Sequence, residues 1–409
     1  MNNAKVYKGY NLIIFPQEAE TLKYDFDRII EKKGINSVKW EFMEFLTKDI
    51  DKDTLPFWIA DMDFMCPPPL LEAIKERADK FTLGYSMADD TYHEAVCNWM
   101  ERRFSWNIDP ADIFISPGVV KGIENLILSL TTAGNGIIIQ KPVYYPFSAI
   151  IQQTGRTVVN NALINTAGFY EIDFQDLQRK AQDPANKMLL LCSPHNPVGR
   201  VWTEQELRQV AEICLENNVI LVSDEIHFDL LRKGVTHIPL ARLYPEEDRI
   251  ITCTAPSKTF NTAGLQISNI IIKNKTFQQK WSEIAGMELP SPLALTAVKA
   301  AYNEGEEWLE QLLVYLDENF SFLDQYIKEK IPKAKFSIPQ GSYLAWIDFS
   351  PYGYDDKELD RILIQEAKVL LEAGTIFGPE GAGFQRMNIA CPRATLEQGL
   401  ERISTALHG

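Results

Sequence analysis

Lys258 sits in a turn, TAPSKTFNTAGLQIS, between two β-rich runs, Arg249 to Thr254 and Gln266 to Ile272. Thr259, Asn261, Thr262 and Gly264 around it are loop chemistry. A lysine held between two core strands can form a Schiff base with an aldehyde, although on this stretch alone a surface lysine in a tight loop fits as well. Other polar residues follow apolar runs in the same way: Tyr144 and Tyr145 after GIIIQ, Asn196 after KMLLLCS, and Asp224 and His227 at the end of VILVSDEIHFDL. In an open parallel sheet, ligands bind beyond the carboxyl ends of the strands, so residues far apart in sequence meet at one edge. Gly118 precedes Val119 and Val120, whose amides open a helix, and a helix start is a ready cup for phosphate.

Each of these has a plain structural reading. Asp224 could cap a turn, Asn196 before Pro197 is a common turn pair, His227 could be a satisfied buried histidine, and Gly118 could mark an ordinary strand-to-helix turn. Together they match what one cofactor needs. Pyridoxal phosphate takes a lysine for its aldehyde, an acid for its ring nitrogen, donors for its phenolate oxygen, a flat partner for its ring and a cup for its phosphate. Lys258, Asp224, Asn196 with His227, Tyr144 and the Val119–Val120 helix start supply them in turn. Asp61 and Asp63, on one side of a β-rich run from Leu55 to Phe64, read first as turn-forming residues and second as the lining of a pocket.

The elements that must position these groups follow from the pattern. A chain of 409 residues is long enough for two domains. A net charge of −15 argues against a nucleic-acid backbone or an anionic membrane surface as partner. No run is apolar for long enough to span a bilayer, and no signal peptide is evident. Six cysteines without a C-x-x-C pair read as reduced thiols of a cytoplasmic protein. Strands alternate with helices from Phe114 to Ile272, regularly from Gly136, and the strands are near-continuously apolar, so the expected fold class is α/β with a mostly parallel sheet covered on both faces. KPVYYPF reads as a loop carrying the two tyrosines, Thr203 with Glu206 as a capping box that starts a helix, and Glu306 to about Lys330 as one long helix closed by Pro332. Residues 335–409 read as β, β, α, β, β, α, with a short strand at TIF (375–377). The expected organisation is an arm at 1–23, the N-terminal part of a small α+β domain at 24–75, a large cofactor-binding domain at 76–312, and the rest of the small domain at 313–409.

Ten stretches resemble one family: SVKWEFM, PFWIADMDF, LGYS, SPGVV, PVYYPF, LLLCSPHNPVGRVW, SDEIHFDL, APSKTFNTAGLQ, SYLAWIDF and FQRMNIACPR. From about residue 24 to the C-terminus the chain resembles the aminotransferase class I/II superfamily of pyridoxal-phosphate enzymes. Within it the chain resembles the cystathionine β-lyase-like C–S lyases of the MalY/PatB type. The resemblance implies fold type I, with a large domain built on a mostly parallel seven-stranded sheet and a smaller α+β domain. It implies Lys258 as the lysine that binds cofactor and moves the Cα proton, Asp224 at the ring nitrogen, and Asn196 and His227 near the phenolate oxygen. It implies Tyr144 on the ring, and Val119, Val120 and Ser257 on the phosphate. It further implies Tyr85 reaching the site of a partner subunit in a homodimer, Arg386 on the substrate α-carboxylate, Asp63 and Tyr343 on the substrate side, and no metal. Gln266 stands where many superfamily members carry a phosphate-binding arginine, which leaves the phosphate to amides, Ser257 and Tyr85. The implied reaction is β-elimination from cystathionine or a cysteine S-conjugate, giving a thiol, pyruvate and ammonia. Transamination of an aromatic or other amino acid uses the same residues up to Cα deprotonation and stays open as the alternative.

Overall fold

The computed structural model describes residues 23–408 apart from residue 49. The expected arm at 1–23 therefore lies outside the described residues, save Lys23. Seven strands form the central sheet: β1 (Ile113–Ser116), β2 (Gly136–Ile139), β3 (Thr157–Asn160), β4 (Asn186–Cys192), β5 (Ile220–Asp224), β6 (Ile250–Thr254) and β7 (Ser268–Ile272). Their spatial order is β1-β7-β6-β5-β4-β2-β3. β7 runs antiparallel to both neighbours, and the other six strands share one direction.

The reason for this sheet is visible in its strands. Residues such as Ile137–Ile139, Met188–Leu191 and Leu221–Val222 are fully buried, because helices cover both faces. On one face, helices Val119–Leu130, Pro146–Gln153 and Lys275–Ala285 pack over Ile137, Ile139, Val222 and Ile251. On the other, Phe174–Ala181 and Glu204–Glu216 pack over Ile138, Leu189 and Leu221. Glu204–Glu216 starts with the capping box expected at Thr203 and Glu206.

The helix Glu306–Lys330 has the bounds its periodicity predicts and runs unbroken through residue 313. It leads into a four-stranded antiparallel sheet of β8 (Lys335–Phe336), β9 (Leu344–Asp348), β10 (Glu372–Ala373) and β11 (Phe384–Asn388), in the order β8-β9-β11-β10. The N-terminal segment joins this part of the chain: Leu55–Pro56 pairs in parallel with Val369–Leu370.

Three local expectations are corrected. The run from Leu55 to Phe64 is a strand only at Leu55–Pro56. The Phe57 backbone still bonds Leu370 and Asn388, and the Asp63 amide bonds the Ala390 carbonyl, but between them the segment is held mainly by side chains. Pro146 does not continue the loop after the tyrosines; it sits in the first turn of a helix, where its missing N–H costs nothing. Residues 375–377 are 3₁₀ helix, and the strand lies earlier, at Glu372–Ala373, where it can pair with β11. Helix Lys275–Ala285, capped by Asn274 onto the Phe277 amide, had no sequence reading.

The loop carrying Asn196 is braced from the small sheet. The amides of Gln340 and Gly341 both donate to the Gly199 carbonyl, at 2.9 and 3.0 Å. Gly199 has φ +70°, and a Cβ there would lie 2.2 Å from Pro339 Cβ. Gly199→Ala is expected to cost about 1–3 kcal/mol through strain and overpacking, read as a lower urea midpoint at unchanged slope.

Candidate active site

Five strands end at one edge of the sheet, and the expected site residues follow from their ends. Cys192 of β4, Asp224 of β5 and Cys253 of β6 are register partners in adjacent strands. Asn196 therefore begins four residues past one end, Asp224 is itself an end, and Lys258 stands four residues past Thr254. Tyr144 follows β2, and Gly118 follows β1. Gly118 has φ +95° and caps the helix that starts at Val119. The first i→i−4 bond there is Gly122 N to Gly118 O, 3.1 Å, so the Val119 and Val120 amides point outward unclaimed by the helix.

Lys258 is half-buried. Its Nζ donates to the Ala60 carbonyl at 2.6 Å, and the Tyr343 hydroxyl donates to the same oxygen at 3.0 Å. Loss of hydration pulls the Lys258 ammonium down to about 8; the Asp61 carboxylate raises it, Arg386 lowers it and Asp224 raises it. Burial pushes the Asp224 carboxyl up to about 7, opposed by a hydrogen bond from the Ile226 amide at 3.2 Å. Burial, with Lys258 and Arg386 nearby, lowers the His227 imidazole to about 3, so it is neutral. Its Nδ1 is buried without a partner. Burial raises the Tyr144 phenol, which also feels Tyr145, Asp224 and Arg386.

Arg386 lies in β11, 2% exposed. Its Nη1 donates to Asn196 Oδ1 and its Nη2 to the Trp58 carbonyl, both at 2.9 Å. Nη2 is also paired with Glu372. Lys258, Asp224, His227, Tyr144, Asn196, Tyr343 and Arg386 thus share one locus.

The segment Trp58–Phe64 walls this locus and is stitched by side chains. Asn388 Nδ2 donates to the Ile59 and Asp61 carbonyls, at 2.8 and 2.7 Å. Asn261 Nδ2 donates to the Met62 and Phe64 carbonyls, and Lys39 Nζ to the Asp61 carbonyl at 3.0 Å. The expectation that Asp63 lines the substrate side is corrected here. Its carboxylate is held by buried Lys39 at 2.8 Å, by Lys32 at 3.3 Å and by Trp40 Nε1 at 2.8 Å. The acid that faces Lys258 is Asp61. Alternation placed both acids on one side of a strand; once the strand ends at Pro56, that parity no longer holds. Tyr85 stays outside the locus, 95% exposed on its loop.

Sequence reasoning also missed the Ala60 carbonyl and Glu372. Backbone oxygens carry no residue signature. Glu372 is legible only through its pairing with Arg386 across β10 and β11.

The residues present fit pyridoxal phosphate. A buried acid without a cation in hydrogen-bond contact suits a protonated ring nitrogen. The unpartnered His227 Nδ1 suits a polar ring substituent, and the amides after Gly118 with the half-buried Ser257 suit a phosphate.

Fold and site define an enzyme of the type that works on amino acids through a lysine-bound cofactor. The chain belongs to the aminotransferase class I and II family, whose model matches residues 52–403, and falls in its C–S lyase branch. It is 42% identical over 387 residues to cystathionine β-lyase PatB of Bacillus subtilis, covering 94% of this chain and 100% of that protein. It is 34% identical to protein MalY of Escherichia coli, covering 94% and 99%. The fold matches cystalysin of Treponema denticola, a structure containing pyridoxal 5′-phosphate, with a TM-score of 0.91 and 37% identity over 94% of this chain and 99% of that one.

Two outcomes test the geometry. Asp63→Ala leaves Lys39 buried without its counter-ion and is expected to lower stability by about 3–5 kcal/mol in denaturant melts. A substrate-lining acid would shift KM and leave stability intact. The second concerns pH. Between about 8 and 10.5 the unfolded lysine binds more protons than native Lys258. In the cofactor-free protein its contribution to stability therefore rises with pH across that window and is lost as pH falls through about 8. Lys258→Met is expected to remove that rise, read from urea midpoints at about pH 7.5 and about pH 9.5.

Proposed function

We propose that the protein is a pyridoxal-phosphate-dependent C–S β-lyase. It cleaves cystathionine or a cysteine S-conjugate with water to a thiol, pyruvate and ammonia. The observation that carries this reading is the likeness to PatB at 42% identity over the whole of that protein. The Lys258 amine, bonded to the Ala60 carbonyl and set among Asp61, Arg386 and Asp224, supports proton removal at Cα. The names of the PatB relative and of other cystathionine β-lyases support the same branch.

Lys258 would hold the cofactor aldehyde, and Asp224 would keep a proton on the ring nitrogen. His227 and Asn196 would lie by the phenolate oxygen, and Tyr144 against the ring. Val119, Val120 and Ser257 would take the phosphate, with Tyr85 of a second copy. When bound, the cofactor withdraws electrons from the substrate Cα and makes its proton acidic. Arg386 orients the α-carboxylate, with Tyr343 on the substrate side, so that the Cα–H points at Lys258. The displaced Lys258, whose burial favours the neutral amine, accepts that proton. The β-sulfur then leaves as a thiolate, and the Lys258 ammonium can return the proton to it.

A second copy is supported by the exposed loop Phe81–Met87, where Phe81 and Tyr85 are 94% and 95% exposed and Leu83 and Met87 stand out beside them. So wide an apolar display suits a subunit interface. Six free cysteines, four of them buried, suit the reducing cytoplasm. Among the described residues no helix is long and apolar enough to cross a membrane.

Pyruvate is expected to form from L-cystathionine without any added keto acid, and Lys258→Ala is expected to reduce that rate by about 10³-fold or more, the scale of losing a general base and nucleophile. Product formation only after a keto acid is added would overturn the lyase reading in favour of transamination.

A further inference from the structure

The Arg386 guanidinium is already engaged. It has five N–H donors in a fixed fork. One Nη1–H goes to Asn196 Oδ1, and Nη2 donates to the Trp58 carbonyl and to Glu372 Oε2. The Nε–H is buried and has no partner. A carboxylate binds this fork bidentately through Nε with Nη2, or through Nη1 with Nη2. Both modes use Nη2, and both Nη2 protons are taken. The free donors, Nε–H and one Nη1–H, do not form a pair that a carboxylate can span.

Glu372 is no chance neighbour. It is the direct cross-strand partner of Arg386 in the β10–β11 pair. Both side chains are 3% exposed. Arg386 is the only side chain with which Glu372 forms a hydrogen bond or ion pair among the described residues. The sheet register therefore holds a carboxylate against the arginine, out of water, where an incoming carboxylate meets a neutralised pair and not a bare cation.

We propose that Glu372 competes with the substrate α-carboxylate for Arg386 and thereby sets the affinity of the site for carboxylates. This rests on the reading of Arg386 as the carboxylate-binding residue. Full bidentate capture requires Glu372 to yield Nη2. A carboxylate left buried without its cation is costly, and that cost is subtracted from substrate binding. Glu372 acts through Arg386 and is a positioning residue.

Glu372→Gln keeps the shape and the hydrogen-bond acceptor while removing the charge. In the holoenzyme it is expected to lower KM for L-cystathionine by roughly tenfold with kcat nearly unchanged. The Kd for propanoate, which has no amine to react, is expected to fall by a similar factor, read from the perturbed absorbance of the bound cofactor. An unchanged or raised KM and Kd would overturn the competition, since a merely structural Glu372 would loosen Arg386 and weaken binding. Should Glu372→Gln not fold, Glu372→Asp withdraws the carboxylate by one methylene; a propanoate Kd that does not fall in that variant overturns the idea equally. Arg386→Ala separates the two readings. If it leaves KM unchanged, the assignment of Arg386 itself fails. If it raises KM while Glu372→Gln does nothing, only the competition fails.

Discussion

Charges held out of water at one sheet edge are the constraint on which the rest of this structure depends. Asp61, Arg386 and Asp224 lie close enough to shift Lys258, and Lys258 in turn shifts Asp224. In water these groups would be fully ionised and nearly independent. Here burial moves the lysine and Asp224 toward each other, to about 8 and about 7. A lysine near neutrality can take a proton and give it back, and that is the requirement for chemistry at Cα. Such a cluster is tolerable only if its polar atoms are satisfied by rigid partners.

The partners come from three directions. The parallel strands bring Cys192, Asp224 and Cys253 abreast, so the residues after them must converge. The small sheet supplies Arg386 and Asn388 from β11, and these reach back to the segment Trp58–Asp61. That segment has little regular structure of its own, and buried Lys39, Asn261 and Asn388 hold it in place. Its reward is a carbonyl, Ala60 O, that receives both Lys258 and Tyr343. The wall of the site is thus backbone, fixed by Arg386 from within the site and by Asn388, Asn261 and Lys39 from behind it.

The Lys39–Asp63 pair and the Arg386–Glu372 pair show two uses of a buried ion pair. The first anchors a wall and leaves no donor aimed at the locus. The second leaves the Nε–H of a guanidinium without a partner, and so holds unused binding capacity next to the site. Burial is the same in both; the difference lies in which N–H groups remain.

The sequence by itself determined the parallel sheet, the long helix Glu306–Lys330, and the sheet edge from which Lys258, Asp224, Asn196 and Tyr144 work. These follow from apolar period, caps and strand ends, which are local properties that any copy of the chain must express. Family resemblance then supplied roles that spacing alone left open. Only the tertiary structure decided which acid faces Lys258. Asp61 and Asp63 are two residues apart and alike in type, and the choice rests on Lys39, 24 residues from Asp63 along the chain. It likewise decided that Glu372 meets Arg386. A strand read at 375–377 instead of Glu372–Ala373 moves the parity of every side chain in it, and only pairing with β11 sets that register. Long-range contacts of this kind leave no mark in local sequence, because the energy that selects them belongs to the folded neighbours.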